Sequence, residues 1–421
     1  MDRQRSSRRF RFPALFLVIL LALLAGGVTS AFGAARAQTG PAAGDPLEPD
    51  GQIGGITNGL AARGDFVYIG VGPRLVVLDL SDLEMLDNYD DYRVGQTPPL
   101  PDIVRDVVVD GNYAYVAAGT GGLRVIDISN PTAPREVAAL AVGENARAID
   151  HEGTTVYLGD NGPSGLHVID VSDPAAPREL GAAEWRAGIW EISAVGDYAY
   201  VADGYDLFIF DVADPTAPRQ VGSVGTNCSA LDVALAGDYA YVADHDNCGL
   251  LIADISDPTI QTHVSYAFPE EAFYLNPTLR SSDQHESVRV EVAGQYAYVA
   301  HKVVIYADNG ETYTWSQLTI FDITNPAAPD PVARFNLNEN RPYSQVTDLV
   351  IDGSAAYLST VDGWLYVIDL TDLRLRNPVD HHLVLGPVVG VVADEGRVSA
   401  ATPNALHDGF ESSLDLSLIH I

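Results

Sequence analysis

The sequence is poor in several residue types. Lys302 is its only lysine, and the 421 residues include two cysteines and two methionines. Basic residues number 24 against 57 acidic ones, so the formal net charge is −33. A chain with this charge repels phosphate backbones and anionic lipids. We therefore expect no nucleic-acid partner and no adhesion to anionic membranes.

Long apolar runs are also scarce, and the longest lies near the N-terminus. Residues 3–11 hold five arginines and no acid, residues 14–25 are apolar, and Ala35-Arg36-Ala37 precedes Gln38. A basic head, a short apolar core and an A-x-A site are the parts of a secretory signal peptide. The apolar run is shorter than the ~20 residues that span a bilayer, although an uncleaved anchor is the alternative. We expect residues 1–37 to be removed on export, giving a secreted or cell-surface protein without a membrane span.

Helical periodicity is absent after the signal, and repeated phrases follow a linker over residues 38–52. The first phrase is Leu-x-Val-Ile-Asp-Ile-Ser, followed in most copies by Asp/Asn-Pro, and its aspartates are Asp79, Asp127, Asp170, Asp211, Asp254, Asp322 and Asp369. The second phrase is Gly-x-Tyr-Ala-Tyr-Val-Ala, and its copies begin at Gly64, Gly111, Gly153, Gly196, Gly237, Gly294 and Gly353, with a decayed copy at Gly396. Successive copies of the aspartate are 41 to 48 residues apart, except for 68 between Asp254 and Asp322.

Each unit predicts four short strands, A to D. In the second unit these cover residues 103–109, 113–117, 123–129 and 135–140, which are rich in β-branched and aromatic residues. Strand C is apolar on both faces, as is typical of a sheet packed between two others. The pattern predicts an all-β fold, a β-propeller of four-stranded blades with seven complete repeats over residues 53–386. For residues 387–421 we expect a partial eighth repeat and a truncated or artefactual tail.

These phrases resemble the LVIVD-repeat family of bacterial and archaeal cell-surface proteins. The resemblance is carried by Leu123-Arg124-Val125-Ile126-Asp127-Ile128-Ser129 and Tyr113-Ala114-Tyr115-Val116-Ala117 with their counterparts, and it spans residues 53–386. It implies a propeller at the cell surface, and it brings no shared reaction with it. The Gly-His and Trp-Asp markers of WD40 repeats are missing.

Long loops point to a binding surface. In a propeller the D–A and B–C loops share one face, here called the top face, while the A–B and C–D turns share the bottom face. We expect insertions at the top in residues 87–103, 264–287 and 301–317. Aromatic side chains beside acids suit a protein or carbohydrate partner, so we expect a monomeric, non-catalytic binding protein. The candidate ligand-binding residues are Tyr89, Tyr92, Trp185, Trp190, Tyr274, Tyr313, Trp315 and Trp364.

Three histidines at the tops of adjacent blades, His245, His285 and His301, are candidate ligands for zinc or another transition metal. Calcium, which takes oxygen ligands, is the other divalent metal considered. This leaves a metal-dependent extracellular hydrolase or lyase as an alternative function, and a purely structural cell-envelope module as another. No nucleophile elbow, phosphate-binding loop or dinucleotide fingerprint is present.

Two further features concern charge and cross-linking. Five residues before the glycine of the second phrase stand the acids Asp106, Glu191, Asp232 and Asp348, with Arg289 in the sixth unit. We expect this column to line the central channel, either building the blades or holding a cation. Cys228 and Cys248 both fall at the top of the fifth unit, and export favours a disulfide between them.

Overall fold

The structure is a computed structural model that describes residues 57–81, 92–185, 187–226, 228–245, 249–260, 262–267, 284–306, 312–337, 345–361, 363–371, 379–384, 390–394 and 397–401. Side chains are described for all of these except residues 284–285, 305–306, 312–315 and 379–401. Every regular element in these ranges is a β-strand, which confirms the all-β prediction. No helix there is long and apolar enough to cross a bilayer.

The first four blades take up the described chain from Thr57 to Val224. Each blade is a four-stranded antiparallel sheet with its strands in sequence order, so the strands A to D of the prediction follow one another across the sheet. The strands are β1 Thr57–Arg63, β2 Phe66–Val71, β3 Arg74–Asp79 and β4 Arg93–Gln96; β5 Asp106–Asp110, β6 Tyr113–Ala117, β7 Leu123–Asp127 and β8 Arg135–Leu140; β9 Ala146–Glu152, β10 Thr155–Asp160, β11 Leu166–Asp170 and β12 Arg178–Ala183; and β13 Glu191–Val195, β14 Tyr198–Ala202, β15 Leu207–Asp211 and β16 Arg219–Val224.

Blades 5 to 7 have the same strand order, and a two-stranded sheet follows them. Their strands are β17 Ala230–Ala236, β18 Tyr239–Asp244, β19 Gly249–Asp254 and β20 Thr262–Ala267; β21 Gln284–Ala293, β22 Tyr296–Tyr306, β23 Thr312–Asp322 and β24 Asp330–Asn336; and β25 Val346–Asp352, β26 Ala355–Thr360, β27 Trp364–Asp369 and β28 Val379–Val384. The two-stranded sheet consists of β29 Gly390–Asp394 and β30 Arg397–Ala401.

Strand A of every blade is the innermost strand. The A strands contact one another in the order β1, β5, β9, β13, β17, β21 and β25, and β25 returns to contact β1. The ring therefore closes with seven blades, and the pair β29–β30, which corresponds to the expected eighth repeat, is not needed for closure. Each strand A is the inner edge of its own sheet, and closure of the ring places these short edges around the central channel.

The apolar residues of each blade alternate between its two neighbours. In blade 2, Val116 and Ile126 pack with Leu75 and other residues of blade 1, whereas Leu123 and Val125 pack on blade 3. Successive residues of a strand point to opposite faces, so a strand apolar at every position buries both faces. Burying one such side chain contributes about 1.5–3 kcal/mol, and the described residues contain one apolar cluster at each of the seven blade interfaces.

The two repeated phrases form the bottom turns. The phrase glycine opens each A–B turn with a left-handed backbone, for example φ +53° at Gly111, a conformation in which a side chain is strained. In the C–D turn, Asp127 accepts the N–H of Ser129 at 3.0 Å and a bond from Arg135 at 2.9 Å. The repeated aspartate therefore builds the turn.

The proline-containing turns also join neighbouring blades. A β-carbon placed on Gly95 in strand D of blade 1 would lie 2.1 Å from the carbonyl oxygen of Pro131 in the C–D turn of blade 2. In the same way, the hydroxyl of Ser265 in blade 5 donates a hydrogen bond to the carbonyl of Pro326 in blade 6 at 2.6 Å. Each of these turns therefore rests on the outer strand of the blade before it.

Two loop predictions are wrong. Strand D of blade 1 is Arg93–Gln96, since Val76 pairs with Gln96 and Leu78 with Arg93. Residues 82–91 therefore connect strands C and D and do not belong to a D–A loop. They lie outside the described residues, and Tyr89 is among them. In blade 6 most of the expected loop 301–317 is a continuation of strands B and C, which pair as far as Tyr306 and Thr312.

Candidate functional site

The central channel is lined by the A strands, and the predicted column of acids lies at one level within it. Counted five residues before each turn glycine, this level, here called the acid layer, comprises Gly59, Asp106, Ala148, Glu191, Asp232, Arg289 and Asp348. The acids of the layer line a cavity of about 430 Å³ that receives residues from all seven A strands. The prediction that these acids line the channel is confirmed.

These carboxylates bond neighbouring blades to one another. Three of them accept a backbone N–H from the A strand of the next blade: Ile149 donates to Asp106 at 2.8 Å, Val290 to Asp232 at 2.7 Å and Leu60 to Asp348 at 2.6 Å. Each also accepts the N–H of the residue that follows it. These six N–H groups on the inner side of the ring are thereby satisfied by side chains of the protein. This geometry favours the blade-building interpretation of the column.

Arg289 places a cation among these acids. Its Nε lies 3.4 Å from Oδ1 of Asp348, and its guanidinium also donates to the carbonyl of Val288 at 2.9 Å. The charges of Asp232, Glu191 and Asp106 all act on it and hold its pKa above the ordinary value. A guanidinium of the chain itself thus occupies the layer in which we considered a bound cation.

Burial shifts the titration of the channel acids upward. It raises the pKa of Asp106 to about 7 and that of Asp232 to about 6, against an ordinary value of 3.8. Burial, reinforced by the charges of Asp106 and Asp232, holds the pKa of Glu191 well above its usual range. Burial likewise raises the pKa of Asp150, which lies two residues nearer the bottom face than Ala148 of the acid layer, to about 6. Several of these groups therefore carry protons near neutral pH, which lowers the negative charge of the channel.

The residue that precedes each member of the acid layer lies one position nearer the top face. These residues form a second level, here called the rim, which comprises Asn58, Arg105, Arg147, Trp190, Leu231, Val288 and Thr347. Arg105, Arg147 and Trp190 come from the successive blades 2, 3 and 4. The guanidinium carbon of Arg147 lies 3.5 Å from the centre of the Trp190 ring. Burial and the charges of Arg289 and Arg105 lower the pKa of Arg147 to about 10. The guanidinium groups of Arg105 and Arg289 are thus near enough to Arg147 to act on its charge.

A β-bulge sets the position of Arg147. Ala146 and Ala148 pair with the adjacent residues Asp160 and Gly159, so Arg147 is the extra residue of its strand. Bulges of this kind redirect a side chain away from the regular alternation. The strands of blades 5, 6 and 7 shift register at the same level.

Two of the predicted aromatic residues lie on the top of blade 4. Trp190 is 36% exposed, and a β-carbon placed on Gly204 would come within 2.8 Å of its Nε1. Trp185 donates to Oδ2 of Asp203 at 3.3 Å and packs 4.4 Å from Phe208, measured between ring centres. Tyr205, which the sequence analysis does not single out, follows Gly204 in the B–C turn of blade 4 and is 69% exposed. We name Trp185, Trp190 and Tyr205 the blade-4 aromatic patch.

Other predicted aromatic residues are not at the surface. Tyr92 is 4% exposed and packs between blades 7 and 1, and Trp364 is 6% exposed and stacks on Tyr366 at 6.4 Å. Both therefore belong to the apolar core, and their assignment to a ligand-binding surface is wrong. Tyr274 lies outside the described residues, and the side chains of Tyr313 and Trp315 are likewise not described.

The histidines meet acids and hydroxyls at blades 5 and 6. Nε2 of His245 lies 3.3 Å from Glu286, and the single lysine, Lys302, donates to the same carboxylate at 2.6 Å. His301 is fully buried, with its Nδ1 3.0 Å from the hydroxyl of Ser287. Among the side chains that the structure describes, no three His, Cys, Asp or Glu residues are grouped to hold a metal ion. The side chain of His285 lies outside that set, so the three-histidine site stays a prediction.

Cys228 lies at the top of blade 5. Ser229, next to Cys228, donates its N–H to Asp244 at 2.8 Å and accepts that of His245 at 2.9 Å. This brings the segment of Cys228 alongside the end of strand B. Cys248 follows three residues after His245 and lies outside the described residues, so the disulfide stays a prediction.

The ring of seven four-stranded blades defines the chain as a seven-bladed β-propeller. The LVIVD repeat model matches residues 54–87, 102–141, 145–183, 189–226, 228–265, 286–305 and 312–336. The chain therefore belongs to the LVIVD-repeat family, as the resemblance of its phrases implied.

Solved structures show the same fold at low sequence identity. Sqt1 of Saccharomyces cerevisiae is 10% identical, with a TM-score of 0.54 over 83% of this chain and 94% of that one. A hypothetical selenium-binding protein from Sulfolobus tokodaii is 11% identical, with a TM-score of 0.55 over 77% and 92%. A functionally unknown protein from Desulfotomaculum acetoxidans is 12% identical, with a TM-score of 0.54 over 83% and 99%. A search of curated proteins finds no match. These likenesses concern the fold alone.

Proposed function

We propose that the protein is an exported, non-catalytic propeller that binds a protein or carbohydrate partner through its top face. The observation that carries this proposal is the blade-4 aromatic patch, in which Trp190 and Tyr205 remain exposed above a turn whose geometry is fixed. Asp203 accepts the N–H groups of Tyr205 and Asp206 at 2.9 and 3.0 Å, so the turn is rigid before any ligand arrives. A rigid aromatic side chain loses little entropy on binding.

Blade 6 adds support at the same face. Its strands β21, β22 and β23 are 10, 11 and 11 residues long, whereas the corresponding strands of the other blades have five to seven residues. The extra pairs, such as His285 with Val303 and Val304 with Thr314, extend the sheet from the top end of the blade. Elongation confined to the top fits a scaffold that presents one binding face.

The test compares the two faces of the ring. A double variant, Trp190→Ala with Tyr205→Ala, removes the exposed rings, whereas Ile260→Ser removes an equally exposed apolar side chain (69%) from a C–D turn of the bottom face. Each protein is applied to a glycan array and to immobilised cell-surface protein extract. We expect the wild type and the Ile260 variant to bind the same probes and the double variant to lose them. Undiminished binding by the double variant would contradict the proposal.

A further inference from the structure

Five of the eleven arginines whose side chains the structure describes are paired with a carboxylate. Those that lie within 4.0 Å of one are Arg124, Arg135, Arg178, Arg219 and Arg289. Arg105 and Arg147 make no such pair with any residue the structure describes, although acids outnumber bases by more than two to one in the chain. They are, moreover, close enough to act on each other electrostatically.

The acids nearest to the two arginines are engaged elsewhere. Asp102 feels the charge of Arg105, but its oxygens accept the N–H groups of Ile103 and Thr120 and the hydroxyl of Thr120 at 2.7 to 2.9 Å. Glu191 acts on Arg147, but one of its oxygens accepts the N–H of Ile192 at 3.1 Å. Two like charges that act on each other, with the acids that act on them already hydrogen-bonded to other groups, disfavour the free protein, and an anion bound to both relieves this repulsion.

The surroundings of Arg147 restrict which anion fits. The carbon of its guanidinium lies 3.5 Å above the centre of the Trp190 ring. A guanidinium can form two parallel hydrogen bonds with a planar carboxylate, so the group suits an anion of this shape. The exposed ring of Trp190 lies beside it, and the exposed Tyr205 follows Gly204, which packs against Trp190. Aromatic faces stack on the C–H faces of sugar rings. The bulge that displaces Arg147 from the regular strand is what brings these groups together.

We propose that the rim formed by Arg105, Arg147 and Trp190 binds an acidic saccharide, with a uronate carboxylate on the arginines and a sugar ring on the blade-4 aromatic patch. This inference rests on the proposed function and narrows its ligand class. It also explains why a strongly negative protein carries arginines at the centre of its top face. Without them, the protein would repel an acidic saccharide.

The experiment is calorimetric titration of the protein with trigalacturonate at low salt. Arg147→Gln and Arg105→Gln should each weaken binding at least about tenfold, since each removes a hydrogen bond between two charged groups. Arg147→Lys should not restore it, because an ammonium cannot form the paired bonds. The control is Arg63→Gln, an exposed arginine at the bottom end of the first A strand, which should bind as the wild type does. Unfolding temperatures of all four variants establish that they remain folded.

Parallel titrations separate the outcomes. Binding of the fully methyl-esterified trisaccharide as tightly as the acid would overturn the role of the carboxylate while leaving the proposed function intact. Binding of tetraglutamate in place of trigalacturonate would assign the rim to acidic peptides and overturn the saccharide. No change in any of the rim variants would overturn the site. If the Trp190/Tyr205 double variant lost all binding while the Arg105 and Arg147 variants kept it, the proposed function would be supported and this inference would be contradicted.

Discussion

Asp348 in the seventh blade accepts the backbone N–H of Leu60 in the first blade at 2.6 Å, and this bond spans the point at which the ring closes. The same carboxylate accepts the N–H of Leu349 and lies beside Arg289. One side chain thus joins the two ends of the propeller and neutralises the cation in its channel.

Replacing Asp348 by alanine should destabilise the protein by about 3 kcal/mol. The change leaves the Arg289 charge and two N–H groups without their partner in a largely buried place. Chemical unfolding monitored by circular dichroism gives the free energy of unfolding. Asp197→Asn, at an exposed A–B turn, is the matched control and should change it little. Equal stabilities for the two variants would contradict the role given to Asp348.

The protein should become less stable as the pH rises from about 4 to about 7. The folded state raises the pKa of Asp106 from 3.8 to about 7 and those of Asp232 and Asp150 to about 6, so it holds more protons than the unfolded chain between these limits. A state that binds more protons is stabilised by acid, and the stabilisation is lost as the pH passes the folded-state pKa values. Repulsion within the net negative chain acts in the same direction.

Thermal unfolding between pH 4 and pH 8 measures this dependence. Asp106→Asn, which imitates the protonated acid, should flatten the curve, whereas Asp197→Asn should leave its slope unchanged. A wild-type stability that rises steadily toward pH 8 would show that the channel acids are ionised in the folded protein.

The cysteines are expected to form a disulfide in the exported protein. A bond between Cys228 and Cys248 closes a loop of about 20 residues and stabilises the fold by roughly 3 kcal/mol in the chain-entropy description. Mass spectrometry of peptides from unreduced protein should show the two linked. Two alkylated thiols in protein recovered from an oxidising compartment would exclude the bond.

Export makes a prediction about the mature N-terminus. If residues 1–37 are a cleaved signal, N-terminal sequencing of protein recovered outside the cytoplasm should begin at Gln38. Replacing Ala35 and Ala37 by bulky residues should retain the precursor. Recovery of the intact N-terminus from the extracellular fraction would favour the uncleaved anchor.

The blades could be predicted because the residues of each repeat determine its turns and strands locally. Gly111 requires a left-handed turn, Asp127 caps the next one, and a strand apolar at every position must lie between two sheets. The loops are less determined, because no such signal marks where an insertion begins. The sequence therefore predicts a top-face insertion over residues 87–103, whereas strand D of blade 1 lies within that range and Tyr92 is buried.

The rim was missed for a different reason. Arg105, Arg147 and Trp190 are far apart in the chain and belong to no shared motif. Counting back from the turn glycine would have placed them at one level, but the contact between Arg147 and Trp190 also depends on a bulge. The sequence singles out Trp190 as a candidate. Only the register of β9 and β10 shows how Arg147 comes into contact with it.

The most direct test of the account is a crystal structure of the protein grown with trigalacturonate. We predict the saccharide on the top face, with a carboxylate within ~3 Å of the Arg147 guanidinium and a sugar ring against Trp190 or Tyr205. A saccharide bound on the bottom turns or on the outer strands, with the rim empty, would contradict it.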